Sequence, residues 1–185
     1  MAFNWLFVKL DVFVQSERDK MNIRNVNPDD AAQIAEIYNY YIKNTHQTFE
    51  TESLSAEDMR ERIIQFSADY PCVVAEEDGK IYGYAFATQF KMRQAYEFSA
   101  EVSIYVKADE KQKGIGSQIY EKLFEELRQT DIHALIAGIS LPNDGSVRFH
   151  EKLGFEKVAH FKEVGYKLGR WVDVGYWELI NTFDD

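Results

Sequence analysis

A β-branched strand that runs into a short basic glycine loop, and then into an amphipathic helix, constrains this fold most. The strand is Ser103-Ile104-Tyr105-Val106, the loop is Lys111-Gln112-Lys113-Gly114-Ile115-Gly116, and the helix follows from Ser117. The loop and the helix start together aim backbone N–H groups at one point, which suits a ligand that carries phosphate. A strand–helix–strand unit across this loop also predicts one parallel crossover in the sheet.

Capping and turn signals predict the remaining elements. The segments 27–30 (NPDD) and 55–58 (SAED) predict two helix starts, and Asp78-Gly79 predicts a hairpin turn. Gly154 is expected at the left-handed position that ends a helix, and residues 98–106 and 133–140 are predicted strands. The predicted order is β-α-α-β-β-β-α-β-α-β-β. We therefore expect one α/β (or α+β) domain with a mixed seven-stranded sheet and helices on both faces.

The charge balance limits the partners that this chain can bind. It has 31 acidic and 21 basic residues among 185, a formal net charge of −10, which argues against a general nucleic-acid or anionic-membrane binder. Any polyanion must meet a local basic patch, and Lys107, Lys111 and Lys113 supply one. The single Cys72 cannot form an internal disulfide, which favours a reducing cytosol. We therefore expect a cytoplasmic protein with no nucleic-acid and no membrane partner.

Residues 1–20 differ from the rest of the chain. Phe3, Trp5 and Phe7 alternate in a strand-like apolar run, and Lys9 and Asp11 interrupt it. The run is too short and too charged to span a membrane, and it lacks the pattern of a secretory signal. It is interpreted as an N-terminal extension, and an extra edge strand, an oligomer contact and a non-native segment all remain open. The domain itself is placed at residues 21–185.

The segment 103–155 resembles the core of the GNAT acyl-CoA N-acyltransferases. Lys111 to Gly116 aligns with the family's pyrophosphate loop, although Lys111 stands where Arg or Gln is usual and Gln112 replaces a frequent glycine. A lysine keeps the positive charge but loses the planar fork of arginine, so its phosphate contact should be less directional. We therefore expect the loop to bind the same cofactor as in the family, with a weaker phosphate contact at Lys111.

A closer resemblance, to the phosphinothricin and methionine sulfone N-acetyltransferase group, covers nearly all of residues 21–183. Five motifs carry it: 48–52 (TFETE), 101–106 (EVSIYV), 141–148 (LPNDGSVR), 150–155 (HEKLGF) and 165–174 (GYKLGRWVDV). The resemblance implies acetyl-CoA as co-substrate, a small-molecule amine such as an amino acid or its analogue as acceptor, and a homodimer. Residues 1–20 lie outside it.

The resemblance also assigns roles to single residues. It implies that Glu101 is the general base, and that His150 stands where many relatives carry the tyrosine that protonates the leaving thiolate. Partial burial would raise the pKa of Glu101 toward the working range that a base needs. A histidine at position 150 can be an acid, a relay or a structural residue.

Cofactor and acceptor residues follow from the same motifs. Backbone groups of Ile104 and Val106 are expected to bind the pantetheine arm where two parallel strands splay, and Val106 N–H to stabilise an oxyanion. The full predicted cofactor set is Ile104, Tyr105, Val106, Lys111, Gln112, Lys113, Gly114, Ile115, Gly116, Ser117, Asn143 and Ser146. The predicted acceptor set is Phe49, Lys91, Arg93 and Tyr96.

The sequence also bears on metal binding and on two other activities. His46, His133, His150 and Cys72 lack metal-ligand spacing, so no metal is expected. Two other activities remain open within the enzyme class or outside it: acetylation of a peptide N-terminus or a polyamine, and a sensor that binds acyl-CoA without turnover. The presence of Glu101 favours an enzyme over a sensor.

Overall fold

The computed structural model describes residues 21–109 and 114–180, and the predictions for 1–20 and for Lys111, Gln112 and Lys113 lie outside this range. The predicted fold class and element order are confirmed. The strands are β1 (Asn22–Asn25), β2 (Cys72–Glu77), β3 (Lys80–Gln89), β4 (Ser99–Val106), β5 (Ala134–Leu141), β6 (Glu156–Lys167) and β7 (Arg170–Ile180). The helices are α1 (Ala31–Asn44), α2 (Ala56–Asp69), α3 (Ile115–Leu127) and α4 (Asp144–Lys152), with 3-10 turns at Pro28–Asp30 and Gln94–Tyr96.

Local signals explain where the elements begin and end. Both predicted helix starts carry complete capping boxes, in which Asn27 pairs with Asp30 and Ser55 pairs with Asp58. The first start opens as a 3-10 turn before α1. Gly154 has a φ of 92°, and Phe155 N–H donates to the carbonyl of His150, which closes the end of α4. The strand predicted at 98–106 begins one residue later, at Ser99, and the strand predicted at 133–140 lies one residue further along, at Ala134–Leu141.

The seven strands form one sheet in the order β1-β2-β3-β4-β5-β7-β6. Strands β4 and β5 run parallel, and the other neighbouring pairs within the described residues are antiparallel. Helix α3 makes the crossover between β4 and β5, as the glycine loop predicted. The sheet therefore changes strand direction at its centre, at the pair β4–β5.

Helices cover both faces of the sheet and bury two apolar clusters. One cluster joins α3 to the sheet through side chains such as Ile119, Leu123 and Leu135, and the other joins α1 and α2 to the opposite face through Ile34 and Ile63. No helix among residues 21–109 and 114–180 is long and apolar enough to cross a membrane.

The C-terminal hairpin β6–β7 is packed differently from the rest of the sheet. Trp177 of β7 is 1% exposed, but Trp171 of the same strand is 60% exposed. Several other apolar side chains of the hairpin are also exposed: Val158, Phe161, Val164, Tyr166 and Leu168. Tyr166 and Trp171 are cross-strand partners, and with Val164 they form what we term the apolar hairpin face, whereas Phe161 pairs with Val174 on the other side. Strand β6 is the edge of the sheet, so its outer backbone groups have no neighbouring strand among the described residues.

Candidate active site

Strands β4 and β5 part half-way along their length. Their parallel ladder consists of Ser99↔Ala134, Ala100↔Leu135 and Glu101↔Ile136, and it stops there. A cleft opens beyond this point, lined by residues 102–105 on one side and 137–140 on the other. The backbone edge of β4 that faces the cleft is not used by the β5 ladder, so an extended ligand can pair with it as a strand would.

The start of α3 lies at the far end of the splayed part of β4. Gly114 has a φ of 100° and is the N-cap of the helix, a conformation that glycine adopts without strain. Gly116 and Ser117 lie in the first turn, whereas the side chain of Ile115 is buried in the core. The free N–H groups of this turn supply a local site for an anion.

Glu101 lies at the point where β4 and β5 separate. Because side chains alternate along a strand, Glu101 and Tyr105 share the face of α1 and α2. The described part of the chain gives the Glu101 carboxylate no hydrogen bond and no ion pair, and burial raises its pKa. A Cβ added at Gly138 of β5 would lie 3.3 Å from Glu101 Oε1, so the missing side chain leaves space beside the carboxylate. This is the environment that a general base requires.

His150 is 3% exposed, and both of its ring nitrogens are within hydrogen-bond distance of neighbours, Nδ1 of the Ser146 carbonyl and hydroxyl and Nε2 of Tyr120. Its Nδ1 lies 2.8 Å from the Ser146 carbonyl oxygen, which can only accept, so Nδ1 carries the proton. Its Nε2 lies 3.1 Å from the hydroxyl of the fully buried Tyr120, which therefore donates to it. Burial lowers the pKa of His150 and favours its neutral form. The geometry supports a relay or an orienting role more directly than that of a protonated acid.

Asn143 and Ser146 combine local structure with a place in the cleft. The Asn143 side chain caps α4 by accepting from Ser146 N–H at 3.2 Å, and both residues line the cleft with Tyr120 and His150. Capping does not prevent a second role, because the Asn143 amide nitrogen is not used by the cap.

The predicted acceptor residues lie outside the cleft lining. Lys91 and Arg93 are exposed in the segment between β3 and β4, and Lys91 Nζ lies 5.2 Å from the ring centroid of Tyr96. Phe49 packs on Gly165 of β6, where an added Cβ would lie 2.0 Å from its ring. Gln47, two residues earlier, does line the cleft. The roles of Phe49, Lys91, Arg93 and Tyr96 in binding the acceptor stay predictions.

The cleft-lining residues that sequence reasoning missed include Gln47, Tyr120, Gly138 and Ser140. A glycine inside an otherwise apolar strand is a signal of close approach, so Gly138 was detectable. Tyr120 was not, because its helical spacing is that of an ordinary core residue. In the described residues, no group of three or more His, Cys, Asp or Glu side chains is placed to hold a metal ion.

Comparison with known proteins decides the family. Residues 23–175 match the family described as Acetyltransferase (GNAT) domain. The chain belongs to the GNAT acetyltransferase family. The resemblance found in the sequence is thereby confirmed.

Similar proteins of the GNAT family include two curated enzymes. Phosphinothricin N-acetyltransferase of Streptomyces viridochromogenes is 35% identical over 162 residues, which cover 88% of each chain. The L-methionine sulfoximine/L-methionine sulfone acetyltransferase of Salmonella typhimurium is 32% identical and covers 86% of this chain and 94% of its own. Among solved structures, the putative acetyltransferase yncA of Salmonella typhimurium with its cofactor acetyl-CoA has a TM-score of 0.84 at 31% identity, covering 88% of this chain and 94% of its own.

Proposed function

We propose that this chain transfers the acetyl group of acetyl-CoA to the amino group of a small amino acid or a close analogue. The observation that carries the proposal is the unpaired carboxylate of Glu101 at the point where β4 and β5 separate. Membership of the GNAT family and the amino-acid analogues named for two relatives support the reaction and the acceptor class.

The described residues fit acetyl-CoA, which supplies the acetyl group as a thioester. The backbone edge at Ile104 and Val106 is not used by the β5 ladder and is suited to the pantetheine arm, whose amides can take the place of a strand. Of its groups, the Val106 carbonyl already accepts from the Tyr41 hydroxyl. Gly114, Gly116 and Ser117 open α3 and are suited to the pyrophosphate. We extend this assignment to Lys111, Gln112 and Lys113 on sequence alone.

Glu101 accepts a proton from the acceptor ammonium, directly or through one water molecule, so that the neutral amine can attack. Burial brings the pKa of Glu101 closer to that of an amine, which makes the proton transfer less unfavourable. An α-amine, with a pKa of about 8, loses its proton more readily than a lysine side chain at about 10.4. The chemistry therefore favours amino acids as acceptors.

Tyr120 and His150 are the pair best placed to move a proton on the other side of the cleft. The Tyr120 hydroxyl donates to His150 Nε2, and the Ser146 carbonyl fixes the opposite ring nitrogen. We infer that His150 orients the Tyr120 hydroxyl, and that this hydroxyl gives its proton to the coenzyme A thiolate as the thioester bond breaks and regains one from solvent. This assignment refines the predicted role of His150 and adds Tyr120 to the site.

We further infer that the protein is a homodimer in the cytosol. The apolar hairpin face and the open edge of β6 together form a surface that a second copy can cover. The single cysteine agrees with a reducing compartment. Light scattering should give twice the chain mass, and Trp171→Glu should yield monomers; a monomeric wild type would contradict the inference.

The test of the activity is a thiol-release screen with acetyl-CoA and a panel of acceptors. The panel holds the twenty amino acids, phosphinothricin, methionine sulfone, methionine sulfoximine, short peptides with free N-termini and a polyamine. We expect turnover with one or more of the amino acids or analogues, N-acetylated products by mass spectrometry, and a thermal shift with acetyl-CoA. Turnover of peptides or polyamine alone would replace the acceptor class, and the lack of any acetyl-CoA binding would refute the proposal.

A further inference from the structure

Lys167, at the end of β6, is a buried cation that the proposed chemistry does not use. It is 3% exposed, and its Nζ donates to the Thr48 carbonyl at 2.6 Å and to the Tyr41 carbonyl at 3.3 Å. Neither partner is charged, and within residues 21–109 and 114–180 its Nζ makes no ion pair with a carboxylate. Burying an ammonium group costs free energy, and attraction to the Glu50 carboxylate beyond ion-pair distance offsets this cost only in part, since the pKa of Lys167 is lowered. The burial of Lys167 therefore calls for an explanation.

The Thr48 carbonyl belongs to residues 45–50, which we term the acceptor loop, and the Tyr41 carbonyl lies in the last turn of α1, just before this loop. This loop connects α1 toward α2, and it carries Gln47, which lines the cleft, and Phe49, a predicted acceptor residue. Lys167 therefore connects the C-terminal hairpin to the loop that reaches the open end of the cleft. The connection spans 119 residues of sequence.

A second contact joins the same hairpin to the same loop. The ring of Phe49 lies on Gly165, where a Cβ would approach three ring atoms at 2.0–2.7 Å. Any larger residue at position 165 would displace the ring. Gly165 lies two residues from Lys167, so both contacts come from the same part of β6.

The opposite side of the acceptor loop is fixed by α1, α2 and β4. The Tyr38 hydroxyl lies 2.8 Å from Thr48 Oγ1 and donates to Glu50, and Glu50 pairs with Arg62 of α2. The Tyr41 hydroxyl donates to the carbonyl of Val106, at the end of the splayed part of β4. The loop is thus held from two sides, and on the hairpin side Lys167 donates to the Thr48 carbonyl while Arg170 of β7 donates to His46 Nε2 at 3.0 Å.

We propose that Lys167 is a positioning residue that fixes the acceptor loop for binding of the acceptor amine. The proposal rests on the proposed acetyl transfer and deepens it, because it assigns acceptor binding to a residue outside the cleft. Lys167 acts through Thr48 and Phe49, and acetyl-CoA binding along β4 does not depend on it.

The test is Lys167→Met, which keeps the apolar stem and removes the donors. Lys162→Met, an exposed lysine of the same strand, is the matched control. We expect the acceptor KM of Lys167→Met to rise about 10- to 100-fold, as the loss of a charge-assisted hydrogen bond predicts, while the Kd for acetyl-CoA stays unchanged. The control should match the wild type in both.

An unchanged acceptor KM, or an equal loss in acceptor and acetyl-CoA binding, would overturn the proposal. Should Lys167→Met fail to fold, Gly165→Ala displaces Phe49 from the same loop: a raised acceptor KM with normal acetyl-CoA affinity supports the proposal, and a normal acceptor KM overturns it. A wild type that transfers acetyl to no amine refutes the proposed function instead, so the two failures are distinguishable.

Discussion

Two partly buried carboxylates, Asp30 and Glu101, have opposite surroundings. Asp30 accepts hydrogen bonds from Arg24 Nη1 and Nη2 at 2.7 and 2.9 Å and from Asn27 N–H at 2.7 Å. Burial alone would raise its pKa, but these hydrogen bonds lower it. Glu101 accepts no hydrogen bond from the described residues, and burial raises its pKa.

The difference separates a carboxylate that stabilises the fold from one that is kept ready to react. Asp30 closes a capping box and joins the first helical turn to Arg24 of β1. Glu101 forms no such cap or ion pair with the described residues, and burial disfavours its charged form. An unpaired, half-buried carboxylate beside a cleft is a candidate for a functional role rather than a stabilising one. Four predictions test this contrast.

The largest effect is expected for Glu101→Gln on turnover. Loss of the base should lower kcat about 100-fold or more, while acetyl-CoA affinity measured by calorimetry stays unchanged. In the wild type, activity should fall as the pH drops through the pKa of Glu101, which lies above the ordinary glutamate value. A variant with wild-type turnover would exclude Glu101 as the base.

Asp30→Asn should lower stability and leave turnover alone. Loss of the charge-assisted bonds from Arg24 should cost about 2 kcal/mol in the free energy of unfolding, measured by urea denaturation. Asp29→Asn is the control, because Asp29 pairs with Arg60 at an exposed site and should cost about 0.5 kcal/mol or less.

The stabilising contribution of Asp30 should depend on pH in a definite direction. Since the folded pKa of Asp30 is lowered, its contribution is present above its ordinary pKa of about 3.9 and is lost as the pH falls through the folded value. The difference in the free energy of unfolding between wild type and Asp30→Asn should therefore decrease below about pH 4. A gap that stays constant down to acid pH would argue against the ion pair as its cause.

Gly138→Ala should lower turnover about tenfold by crowding the Glu101 carboxylate. If the glycine acts through Glu101, adding Gly138→Ala to Glu101→Gln should cause little further loss, which steady-state kinetics of the double variant measures. Additive losses would indicate that Gly138 serves another purpose in the cleft.

The smallest effect is a gain of stability in Glu101→Gln. Because the folded pKa of Glu101 is raised, its charge destabilises the fold once the pH exceeds that value, and the penalty is absent below the ordinary value of about 4.3. The Tm of the variant should therefore be higher than that of the wild type at pH 8, and the two Tm values should converge near pH 4. A variant less stable than wild type at pH 8 would contradict the comparison.

The features that the sequence predicts well depend on residues close together in the chain. The capping boxes, the Asp78-Gly79 turn and the glycine at the end of α4 are local, and the structure has them where they were expected. The glycine loop likewise predicted the parallel crossover, because a strand and helix joined this way return beside the first strand.

The features that it could not predict depend on distant pairings. No residue near Glu101 in the sequence indicates that the β4–β5 ladder ends there. The end depends on how two strands 35 residues apart diverge after the pair Glu101↔Ile136. The partners of Lys167 are backbone carbonyls, which every residue type carries, so the sequence cannot identify them. Motif matching placed Lys91 and Arg93 at the acceptor site, but the structure does not bring them to the cleft lining.

The separation of β4 and β5 has a consequence for how this site can be altered. The groups exposed on its β4 edge are amides of the main chain, which every residue except proline supplies in the same way. An alanine scan from Val102 to Val106 would leave that edge intact and would report only on packing. The recognition surface of this half of the cleft is thus insensitive to substitution of its side chains.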